Sequence, residues 1–135
     1  MVQIDVEYTG DLHCKLTHGP SGAQIATDAP KDNEGKGEAF SPTDLVAAAL
    51  GACMLTIMGI VARRHRLDMT GAKAHVEKGM VNDPIRRIGS LPIVITLPVA
   101  LTPKDRKILE AAALTCPVHK SLHPDIDSKV EFLYK

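Results

Sequence analysis

The chain has 135 residues, 44% of them hydrophobic and 24% charged, with 16 basic residues balancing 16 acidic ones. That length predicts one domain, residues 1–135, able to bury most of what its unfolded form exposes. The missing basic excess and the scarcity of aromatic residues (two Tyr, two Phe, no Trp) argue against nucleic-acid binding, and three cysteines are too few for a secreted disulfide scaffold.

Val2, Ile4, Val6 and Tyr8 alternate with Gln3, Asp5 and Glu7, the pattern of a half-buried strand rather than of a signal peptide. This points to the cytoplasm, where disulfides are transient more often than structural. Thr9-Gly10-Asp11 turns the chain. Leu12, Cys14 and Leu16 share one face of a second strand, with His13 on the other. His18 to Gly22 is a turn cluster, and Ala23 to Thr27 is a third strand. Pro30 to Glu38 is a polar surface loop. Ser41-Pro42-Thr43-Asp44 is a helix start: a cap, a proline in the first turn and an acid suited to the positive dipole end. The helix is predicted to run to about Arg66. Within it Leu45 to Ala62 carries no ionisable group except the Cys53 thiol. Such a stretch has the length of a membrane span. Its Ala and Gly content and its place between amphipathic strands favour a helix buried on nearly all sides, in a small domain or at a dimer interface.

Thr70 to Val81 and Ile85 to Val99 form a second hairpin around Asn82-Asp83-Pro84. Thr102-Pro103-Lys104-Asp105 repeats the helix start, and that helix runs to about Thr115. Cys116-Pro117 opens a short helix through Leu122, and Ile126 to Tyr134 is the last strand. The order βββ-α-ββ-α-(α)-β, without a βαβ rhythm or a phosphate-loop glycine pattern, is that of an α+β fold.

Three cysteines carry the candidate chemistry. Cys53, deep in a helix, gains little from the helix dipole, and burial raises a thiol pKa, so a small buried hydrophobe is its bland reading. Cys116 can cap the helix at Pro117, where free N–H groups favour a thiolate; a helix-ending residue without a task is the alternative. Cys14 reads as core filler. Cys116, His119 and His123, with Cys14 or His65, have a spacing that a tetrahedral zinc site could use. That signal is weak, and no metal or cofactor is expected.

Ser41-Pro42-Thr43-Asp44-Leu45 followed by Ala47-Ala48-Ala49-Leu50-Gly51-Ala52-Cys53, together with Leu114-Thr115-Cys116-Pro117-Val118, resembles the OsmC/Ohr family of thiol-dependent hydroperoxide reductases. The element order matches that family over nearly the whole chain. The resemblance implies an intertwined homodimer with paired central helices, an organic hydroperoxide substrate and oxidative stress defence. It implies Cys53 as peroxidatic thiol, Cys116 as resolving thiol, and a dithiol reductant, in the family often a lipoyl group. Two positions depart from the family pattern: Thr43 stands where the best-studied members carry Glu. His13 stands nearest to their thiolate-activating Arg, and Arg86 and Arg87 are other sources of a cation. A non-enzymatic OsmC-like ligand-binding or redox-sensing protein, lacking the activating Arg–Glu pair, is the alternative reading.

Overall fold

The computed structural model describes residues 1–135 and has the α+β architecture of the sequence reading. Its contacts gather the chain into two compact units, Met1–Val46 and Ala47–Lys135.

In the first unit β1 (Ile4–Gly10), β2 (His13–His18) and β3 (Gln24–Asp28) pair as an antiparallel meander. Asp11 and Leu12 both have positive φ, 52° and 62°. Such a two-residue loop matches the twist of the strands it joins. Leu12 therefore belongs to the turn and not to the second strand, and its N–H donates to Tyr8 Oη at 3.3 Å. Val6, Leu16 and Ile25 lie opposite one another across the three strands, as do Tyr8, Cys14 and Thr27. The alternation in β1 does form a strand, yet its apolar residues Val2, Ile4, Val6 and Tyr8 all remain more than 60% exposed.

After β3 the chain makes a single 3-10 turn at Lys31–Asn33. Gly35 then passes so close to the Ala29 carbonyl that a Cβ there would overlap it. This fold-back returns Glu38 to the end of β3, where its N–H donates to Asp28 Oδ2 at 3.0 Å.

Helix α1 (Pro42–Arg64) begins where the sequence signals it. Asp44 N–H donates to Ser41 Oγ (3.1 Å) while Ser41 N–H donates to Asp44 Oδ2 (2.9 Å), a reciprocal cap. The end comes two residues before the predicted Arg66. Arg66 takes a left-handed φ of 57°, Leu67 N–H donates to Ala62 O, and Arg66 N–H donates to Arg63 O. These bonds close the last turn. By length and composition alone α1 could cross a membrane, with mean hydropathy 2.4 over its apolar window, but a core helix meets the same criterion. Only one face is buried: Ala47, Leu50, Gly51, Met54, Met58 and Ala62. The expectation of burial on nearly all sides is not met within one chain. Ala48, Ala52, Thr56 and Ile60 form an exposed stripe at i, i+4 spacing.

The second unit holds the core. β4 (Lys73–Val76) pairs antiparallel with β7 (Ile93–Leu97), and β8 (Val130–Tyr134) runs parallel to β7 on its other side. The predicted long hairpin is interrupted, so β5 (Gly79–Val81) and β6 (Arg87–Ser90) form a separate two-stranded ribbon. The break is chemical: Pro92 has no N–H to give, and Leu91 donates its own to Asp127 O at 2.8 Å. Gly51 of α1 approaches β4 closely: a Cβ there would stand 3.2 Å from Val76 Cγ2 and 3.4 Å from Ala74 Cβ. Leu50, Met54 and Met58 of α1, Ile93, Ile95 and Leu97 of β7, and Leu109 and Ala113 of α2 (Pro103–Ala113) are all essentially inaccessible. Each large aliphatic side chain among them contributes about 1.5–3 kcal/mol through burial. β8 is tied to α2 by Tyr134, whose hydroxyl donates to Glu110 Oε1 (2.9 Å) and whose ring lies 4.0 Å beneath the Arg106 guanidinium.

Candidate functional site

Cys116 sits where α2 has ended and α3 (Pro117–Ser121) begins. Pro117 cannot continue α2 but suits the first turn of α3. Cys116 is the cap residue, and its Sγ accepts the His119 N–H at 3.5 Å. The thiol is fully buried. Cys53, half-buried on α1, is a close neighbour of it. Burial pushes the Cys116 thiol up, and the neighbouring Cys53 adds to that. The His119 and Val118 N–H groups act in the opposite direction but do not prevail. The cap geometry is thus as read from the sequence, while the thiol's pKa moves in the opposite direction to the one a cap alone would give. Two neighbouring thiols of unequal exposure have the composition of a dithiol–disulfide couple.

The other candidate groups lie elsewhere. Cys14 is half-buried on β2, across from Tyr8 and Thr27. The set Cys116, His119 and His123 does not aim at one point: His119 Nε2 bonds Ser128 Oγ (2.9 Å), and His123 Nδ1 accepts the Asp125 N–H (3.1 Å). His65 is exposed just beyond α1. Arg87 donates to the carbonyls of Asp83 and Ile88 in its own ribbon, and Arg86 is exposed.

His13 opens β2 directly across from Asp28, the last residue of β3. Its Nδ1 lies 2.7 Å from Asp11 O. Its Nε2 faces Asp28 Oδ1 at 3.6 Å and Glu38 Oε2 at 3.8 Å. Asp28 is 1% exposed, and its carboxyl is held below the usual carboxylate range mainly by the Glu38 N–H, against the opposing effect of burial. Neither acid figures among the residues singled out from the sequence. The available signal was register: a hairpin turning at His18–Gly22 sets His13 opposite Asp28.

A family model of OsmC-like proteins matches residues 35–131. A curated relative, an uncharacterized protein of Acinetobacter baylyi, is 29% identical over 138 residues, covering 95% of this chain and 94% of the relative. A solved protein of Psychrobacter arcticus 273-4, provisionally described as an osmotic stress induced and detoxification response protein, is 52% identical. Its TM-score is 0.91, with 98% of this chain and 96% of that one covered. An organic hydroperoxide resistance protein of Legionella pneumophila, 16% identical, has a TM-score of 0.78 with 98% and 96% covered, a likeness of fold alone.

Proposed function

The chain belongs to the OsmC-like family, and on that premise we propose that it is a thiol-dependent peroxidase reducing organic hydroperoxides through Cys53 and Cys116. The observation that supports this reading is that the two thiols are neighbours, one buried and one half-buried. Their unequal exposure divides the work. A peroxide can approach the half-buried Cys53, while Cys116 is buried and its pKa is raised.

The Cys53 thiolate attacks a peroxide oxygen, the O–O bond breaks, and the alkoxide leaves as an alcohol after taking a proton. Cys53 is now a sulfenic acid. Cys116 attacks that sulfur, the S–S bond forms, the S–O bond breaks, and hydroxide leaves as water with the Cys116 proton. A small dithiol of the lipoyl kind then exchanges with the disulfide, becoming oxidised itself and restoring both thiols. Ile57, one turn from Cys53 on α1 and half-buried, offers apolar contact suited to an alkyl peroxide rather than to hydrogen peroxide.

The working form in this reading is one OsmC-like domain paired with a second copy. Support comes from the exposed apolar face of β1 and the exposed α1 stripe of small and apolar residues, surfaces that a second copy could cover.

The test is consumption of cumene hydroperoxide with dihydrolipoamide as reductant. The native protein is expected to turn over and Cys53→Ser to fall to the uncatalysed rate. Full consumption by Cys53→Ser contradicts the reading, and inert thiols in the native protein favour the ligand-binding alternative.

A further inference from the structure

The geometry points to a second site on this chain: a divalent first-row transition-metal ion held by His13 Nε2, Asp28 Oδ1 and Glu38 Oε2. One ligand atom from each of these three residues lies within 4.8 Å of the other two. Two ligands each about 2.0–2.2 Å from a tetrahedral ion stand roughly 3.3–3.6 Å apart. The observed separations from Nε2, 3.6 and 3.8 Å, are close to that edge length.

Two independent features aim the group at a cation. Asp28 Oδ1 is buried and has no hydrogen-bond partner, although Oδ2 accepts the Glu38 N–H. A buried carboxylate oxygen left in this state is costly unless something positive meets it. The second feature is the tautomer of His13. A carbonyl can only accept, so the 2.7 Å contact with Asp11 O requires the proton on Nδ1. In the neutral ring this turns the Nε2 lone pair toward both carboxylates. An imidazole oriented by a carbonyl at its far nitrogen is the arrangement found behind metal-ligating histidines. The surrounding Lys36 does not supply the charge, because its Nζ lies against Asp11 Oδ2 (3.5 Å). One imidazole and two carboxylates favour ions of the zinc or manganese kind over calcium. Glu38 is exposed, leaving room for water to complete the coordination.

A ring ligating through Nε2 cannot also stand as a cation beside a thiolate, so this use of His13 excludes its use as the activator of Cys53.

Untagged full-length protein, stripped with chelator and kept reduced, is titrated with Co2+ alone. One ion per chain is expected, with visible d–d absorption and no thiolate charge-transfer band. His13→Gln and Glu38→Gln, both at accessible side chains, should each weaken binding about 10-fold or more. A Cys53→Ser/Cys116→Ser protein should titrate as the native one does, which separates this result from the fate of the peroxidase reading. Three outcomes overturn the inference: no saturable binding at millimolar Co2+, binding untouched by both His13→Gln and Glu38→Gln, or a thiolate band that disappears with the cysteines. Asp28→Asn is a supporting variant only, since it also disturbs the loop that Asp28 anchors.

Discussion

Two clusters on this chain differ in every property that decides what they can do. The Cys53–Cys116 pair is soft and uncharged when protonated, with one member buried. The His13–Asp28–Glu38 group is made of nitrogen and oxygen donors at the end of a sheet, with two carboxylates and an accessible rim. In the proposed readings the first makes and breaks a covalent bond between its own members, and the second attracts something positive. Burial pushes both groups up, but it prevails at Cys116, whereas the Glu38 N–H outweighs it at Asp28.

That contrast can be broken by substitution. The largest effect is expected from Cys53→Ser, which should reduce peroxide turnover to background in a steady-state assay. Cys116→Ser should leave one rapid turnover per chain and then stop, with Cys53 advancing to sulfinic acid, visible as a 32 Da gain by intact-mass spectrometry. Repeated turnover at the native rate would remove Cys116 from the cycle. Next is the core that holds the pair in place. Leu109→Ala empties a fully buried site on α2, and denaturant unfolding should register a loss of about 2–5 kcal/mol.

The smallest effect concerns pH. The folded-state pKa of Cys116 lies above its ordinary 9.0, so the folded chain holds this proton more tightly than the unfolded chain does. The corresponding stability is complete below pH 9 and is lost as pH climbs toward the raised value. Melting temperatures should therefore fall less steeply above pH 9 in Cys116→Ala than in the native protein. Parallel slopes would mean that the thiol has no part in alkaline destabilisation.

Much of the local structure could be read from the residues because its causes are local. Ser41, Thr102 and Cys116 each precede a proline, and each caps a helix through its side chain. The interruption between β6 and β7 also had a visible cause in Pro92, but the continuous apolar alternation around it masked the break. One-sided burial of α1 was not legible, because a helix apolar all round shows no period that marks its covered face. The expected pairing of Cys53 with Cys116 rests on how the fold places two distant residues, and nothing in the spacing of the two cysteines reveals it. Resemblance to the OsmC/Ohr family supplied that expectation. Asp28 and Glu38 escaped notice because a strand end and a polar loop look ordinary until the fold-back at Gly35 brings them together.

The most direct test of the thiol chemistry is to count free thiols before and after one equivalent of cumene hydroperoxide and to map any disulfide by mass spectrometry. Rapid loss of two thiols with a Cys53–Cys116 link, Cys14 remaining free, is the result predicted. Three unreacted thiols, or a link through Cys14 instead, would contradict it.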